Sequence, residues 1–145
     1  MSALLLRVLQ HVHGPLGWLA ALALVHPALL LRAPKRRAWL ATSLSTVLVT
    51  AATSLGAFIY PFYRLRIKQV IFLSSPRIGW LFERKEHLAV GAVGFAWVGL
   101  ILYWLARERG SRALQRGAQR AYTAAAVFAI GTAVFGTVVA AFRSL

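Results

Sequence analysis

Residues 87–106 read HLAVGAVGFAWVGLILYWLA, twenty positions without a single Asp, Glu, Lys or Arg. Twenty helical residues rise about 30 Å, the thickness of a bilayer's hydrocarbon core. Lipid offers no partner to an open strand's backbone, so a stretch of this kind crosses as a helix. Working outward, three more runs have the same character, at 12–31, 39–59 and 121–142, and none carries a charge in its interior. Trp39, Tyr60, Tyr63, Trp80, Tyr103, Trp104 and Tyr122 stand near the span ends, where amphipathic rings prefer the membrane interface. The expected fold is all-α: one domain, an integral membrane four-helix bundle, with residues 61–86 as an outer surface loop.

Composition agrees. The chain has 145 residues, 59% of them hydrophobic, and a mean hydropathy of +0.67. A soluble domain of this size has too much surface to hide so apolar a sequence. The net charge of +14 would suggest nucleic acid in a soluble protein. Here the cations sit between apolar runs, as loop charges facing anionic headgroups do, and nucleic acid is excluded as a partner. The absence of cysteine removes disulfides, thiolate metal sites and cysteine nucleophiles. Arginine outnumbers lysine 14 to 3 amid abundant Ala and Leu, which points to a GC-rich bacterial genome and a bacterial cytoplasmic membrane.

The first span is too long for a signal peptide and is followed by APKRR rather than a small-residue cleavage site, so it reads as a retained helix. Residues 1–11 read as an interfacial helix or as extra turns on that span. Nine cations (Arg32, Lys35, Arg36, Arg37, Arg107, Arg109, Arg112, Arg116 and Arg120) fall in two short loops on one side, against eight on the other. Loop cations favour the cytoplasm, which puts both termini and the 61–86 connection outside. That connection contains VIFL (70–73) and IGWLF (78–82), too apolar for free solvent, and so should lie on the membrane surface or against a partner. Within it, Ser75 followed by Pro76 is a helix-start signal.

Two packing signals stand out. Thr42, Thr46, Thr50 and Thr53 recur at helical spacing, a hydroxyl stripe suited to helix–helix hydrogen bonds and back-bonding, or alternatively to a polar wall for a cofactor or quinone. Ala125, Ala129 and Ala133, followed by Gly136 and Ala140, form an edge where backbones approach closely.

The candidate chemistry lies in the histidines. His11, His13 and His87 belong near the outer surface and His26 near the inner one. His26 precedes Pro27 and reads as part of a helix kink. His11 and His13 point about 200° apart on a helix, so only one faces the bundle. His13 has Gly17 one turn deeper, and His87 has Gly91. Such glycines leave a gap for a flat ligand, which favours His13 as the partner of His87. Glu83 lies one turn before His87 and can accept its ring N–H, as carboxylates do behind ligand histidines. The same pair, with His13 or His11, has spacing for a non-heme metal. The plainer account is that ERKE is a charged helix start.

The four-span plan with His13 and His87 on different helices at one depth resembles small membrane cytochromes of the b type, in which histidines from different helices clamp heme near one membrane face. The resemblance implies one heme b ligated by His13 and His87, with Gly17 and Gly91 admitting the ring and Glu83 orienting an imidazole. His26 has no histidine partner, so a single chain holds at most one such heme. Two functions follow as expectations. One is a redox subunit passing electrons from a membrane quinol to an outer acceptor. The other is a non-catalytic accessory subunit packed against other membrane subunits, or against copies of itself. No span carries a central charge, which counts against a transporter.

Overall fold

A computed structural model describes residues 3–33 and 38–143, and the described residues are helical almost throughout, with no strand. Lys35, Arg36 and Arg37 of the basic loop lie outside them. The elements are α1 (Ala3–Leu30), α2 (Trp39–Tyr63), a π-turn (Arg64–Lys68), α3 (Gln69–Ser74), α4 (Pro76–Arg109) and α5 (Arg112–Arg143). The four long helices are each long and apolar enough to cross a membrane. They stand in a ring, α1–α2–α4–α5, with each helix packed mainly on its two neighbours. Four alternating passes bring both described ends of the chain to one end of the bundle, and from the middle of α1 Trp18 Nε1 donates to Thr137 Oγ1 of α5 at 3.2 Å.

Small residues set how closely the helices pack. Ala20, Ala21 and Ala28 of α1, Ala52 of α2, Ala92 and Ala96 of α4 and Ala118, Ala125, Ala126 and Ala129 of α5 form the core with little side-chain bulk. In a bilayer such close backbones gain van der Waals contact that lipid cannot match. Ala125, Ala129 and Ala133 are buried, as the spacing predicts. The edge stops there, because Gly136 faces open space and Ala140 is exposed.

One large side chain occupies the middle. Tyr122 is fully buried, and its ring lies in the notch left by Gly99, where a Cβ would meet it at 2.9 Å. Its hydroxyl shares a 2.9 Å hydrogen bond with Thr46 Oγ1 and donates to the Thr42 carbonyl at 3.0 Å. The hydroxyl stripe of α2 is thus a structural device. Thr42, Thr46 and Thr50 each bond back to a carbonyl four residues earlier, at 2.9, 2.8 and 2.7 Å. The single Thr46 hydroxyl proton serves either that back-bond or the Tyr122 oxygen, and Thr50 accepts from Trp97 Nε1 at 3.2 Å.

The end carrying the α1–α2 and α4–α5 connections is closed by side chains that satisfy free helix termini. Gln115 Nε2 donates to the Leu31 and Ala33 carbonyls at 3.1 and 2.9 Å. The Ala38 N–H, which opens α2 without a side-chain cap, donates to the Tyr103 hydroxyl at 3.0 Å. α4 ends at Gly110, whose φ of 61° is the left-handed conformation glycine adopts freely, and Ser111 N–H returns to the Ala106 carbonyl.

The opposite end departs from expectation. Residues 61–86 are not a surface loop, being helical except at Ser75, whose extended backbone lets α4 begin at Pro76 as the sequence signal predicts. Nor is VIFL–IGWLF wholly left for a partner. Ile71 and Phe82 are buried with Val139, and Tyr63 stacks on Phe82 at 5.5 Å. The physical reason is Gly79: its missing side chain admits the Phe72 ring, which would stand 2.6 Å from a Cβ, so α3 folds flat onto α4. Val70, Leu73 and Trp80 stay exposed.

Candidate functional site

Scarce carboxylates and most titratable groups gather at the end covered by α3. Each element supplies one part. From α1, His13 turns inward and its ring lies against Gly56 of α2, where a Cβ would meet Cε1 at 2.9 Å. Its Nδ1 is buried and has no hydrogen-bond partner among the described residues. His11 is exposed, so of the two it is His13 that faces the bundle, as their angular separation requires.

α4 presents Lys85 toward His13, close enough for their charges to interact, and Lys85 Nζ stands 4.6 Å from the Phe82 ring centroid. Glu86 lies within electrostatic reach of Lys85, Lys68 and Tyr60. Glu83 forms a salt bridge with Lys68 of the π-turn, and that carboxylate holds the Lys68 ammonium above its ordinary range. Tyr60, at the end of α2, stacks with Phe82 at 6.5 Å and also lines an open cleft of about 500 Å³ with Pro61, Arg64, Leu65 and Gln69. A chain of polar groups therefore runs from a half-buried imidazole to the cleft.

The residues expected to clamp heme do not meet in it. His87 follows Lys85 by two positions, a rotation of about 200°, so when Lys85 faces His13, His87 faces away. It is exposed. Glu83 does orient it, but through the backbone: His87 Nδ1 lies 2.9 Å from the Glu83 carbonyl. A carbonyl only accepts, so Nδ1 is the donor of that bond and Nε2 is the ring nitrogen left free of it. The Glu83 carboxylate is taken by Lys68. The notch at Gly91 is filled by Phe128 of α5, 3.5 Å from where a Cβ would sit, while Gly17 has nothing within 4 Å. His26 is exposed beside a buried Pro27. Among the described residues no three His, Asp or Glu side chains assemble as a metal site.

Sequence reasoning missed Lys85, Tyr60 and Lys68. In the sequence Lys68 reads as one of the eight outer cations, Lys85 as another and as part of the charged ERKE start, and Tyr60 as an interfacial ring. Lys85 alone carries an early signal, since Glu83 and Glu86, two of the chain's three carboxylates, flank it in sequence; Tyr60 and Lys68 carry none. Comparison with protein-family models, curated proteins and solved structures finds no match, so the site is read from its own geometry.

Proposed function

We propose that the chain is an accessory subunit of a larger membrane assembly rather than a bundle that holds a heme between its own His13 and His87. The observation behind this reading is which groups occupy the gaps between helices. The glycine notches at positions 56, 91 and 99 take His13, Phe128 and Tyr122 of the same chain, and Lys85 rather than His87 faces His13. A porphyrin between α1 and α4 would have to displace these rings and turn α4 by half a revolution. These three gaps thus serve the bundle's own closure, as in a scaffold, while Gly17 stays open.

A second reading keeps the redox expectation in altered form. His87 offers an exposed, oriented Nε2 at the bundle surface. A heme b held there would need its other ligand from another subunit or a second copy.

Spectroscopy separates the two. Purified chain mixed with heme should give no reduced-minus-oxidised band typical of bis-histidine heme, and the chain should migrate in gently solubilised membranes within a larger particle. A band lost equally in His13→Ala and His87→Ala would overturn the proposal in favour of a heme within one chain. A band lost in His87→Ala and kept in His13→Ala would establish the second reading. Migration as a free chain in native membranes would also count against the accessory role.

A further inference from the structure

The geometry points to the elbow cleft between α2 and α3 as a binding site for the phosphate headgroup of an anionic phospholipid. Its walls are Tyr60, Pro61, Arg64, Leu65 and Gln69, around about 500 Å³. Arg64 and Gln69 bring hydrogen-bond donors, a guanidinium and an amide, while the Tyr60 phenol is engaged with Glu86 and Lys68 behind them. Pro61 and Leu65 are apolar, and Leu65 is 80% exposed beside the cleft, a surface on which an acyl chain can rest.

The π-turn builds the polar side. Five residues along an α-helix advance about 140° beyond a full turn, which would place Arg64 and Gln69 on different faces. The wider π-turn, with its i→i+5 bonding, brings positions five apart onto one side. Both consequently border the same cleft.

Charge bookkeeping then selects the ligand. The chain has 17 Lys and Arg against three acidic residues. Glu83 is taken by Lys68, Glu86 lies among Lys85, Lys68 and Tyr60, and Glu108 is at the far end of α4. Arg64 makes no ion pair among the described residues. Its fork of N–H donors matches phosphate oxygens two at a time, and its counter-ion has to come from outside the chain. At the end of a helix 25 residues long, the nearest abundant anion is a lipid headgroup.

The test uses full-length protein in a neutral detergent, titrated with phosphatidylglycerol or phosphatidylcholine and read by native mass spectrometry. The parent should retain phosphatidylglycerol at about tenfold lower concentration than phosphatidylcholine. Arg64→Gln should erase that preference, while Arg77→Gln, an exposed cation at the same end, should keep it. Should Arg64→Gln fail to fold, Leu65→Glu sets a repelling carboxylate at an exposed wall position and should give the same loss. Millimolar inorganic phosphate should leave lipid retention unchanged, because the acyl chains contribute to binding. Equal retention of the two lipids, a preference that survives both cleft variants, or displacement by free phosphate would each overturn the assignment.

Discussion

The contact between Gly99 and Tyr122 invites a double-mutant cycle. An alanine at position 99 would put its Cβ 2.9 Å from two ring atoms of Tyr122, about half an ångström inside ordinary contact. Overpacking of this kind costs about 1–3 kcal/mol, and alanine's better helix propensity returns up to about 1 kcal/mol. What sets the balance is whether the ring can retreat. Two hydrogen bonds, to Thr46 Oγ1 and the Thr42 carbonyl, hold it by its hydroxyl. Tyr122→Phe removes both anchors at a cost of about 1 kcal/mol, since the Thr46 hydroxyl then turns its one proton to the Thr42 carbonyl, 2.8 Å away, and no partner is orphaned. With the anchor gone, the ring can slide away from the new methyl group. The double variant should therefore be more stable than the sum of the singles predicts, by about 0.5–1 kcal/mol. Reversible unfolding in mixed micelles, followed by far-UV circular dichroism, measures all four corners. Strict additivity would refute the reasoning, because it would mean that the hydroxyl does not fix the ring.

Other outcomes follow from the same geometry. Ala129→Leu should destabilise the bundle by about 1–3 kcal/mol, because that α5 edge is buried; unchanged unfolding would place the edge against lipid. Glu83 raises the pKa of Lys68 above the ordinary lysine value of 10.5, so the pair's contribution is whole below that pH and is lost as pH rises through the raised value. Parent protein should thus lose more thermal stability than Glu83→Gln does as pH rises above 10.5, and equal losses would remove the pair from the account. Because the chain has no cysteine, single cysteines at Ser74 and Arg112 should react with an impermeant reagent from opposite sides of sealed vesicles, and labelling of both from one side would refute four crossings.

The number of long helices was legible because the requirement is blunt: about twenty uncharged residues must cover the hydrocarbon. Their full lengths were not, since α4 and α5 run on through charged turns to 34 and 32 residues. The alanine edge of α5 was legible for a related reason, since small residues at four-residue spacing have little use except close approach. Helix phase was not. A soluble helix shows its buried face by contrast, whereas 87–106 is apolar all round, so nothing in the pattern says whether Lys85 or His87 turns inward. The pairing of His13 with His87 rested on shared depth, which fixes height and leaves rotation free. The glycine argument faltered on the same ambiguity, for a notch beside a histidine in sequence can be filled from a third helix, as Phe128 fills that of Gly91. The helical path of 61–86 was hidden because a π-turn has no residue signature, and because only the meeting of Phe72 with Gly79 shows why the segment doubles back.

The ring order of the helices also bears on how the chain is put together in time. α4 and α5, joined by a two-residue turn at Gly110 and Ser111, form the most extensive pairing, and it is local in sequence. Contacts of that kind form early at small entropic cost. The seam between α1 and α5 is the reverse, joining partners about a hundred residues apart, such as Gln119 and Ala28. During synthesis α1 and α2 wait in the bilayer with the Thr46 hydroxyl lacking its Tyr122 partner, until the last helix arrives to supply it. Closure of the ring is therefore the late step of assembly, and the newborn half-bundle is the stage at which a chaperone or an incorrect neighbour has the best opportunity to bind.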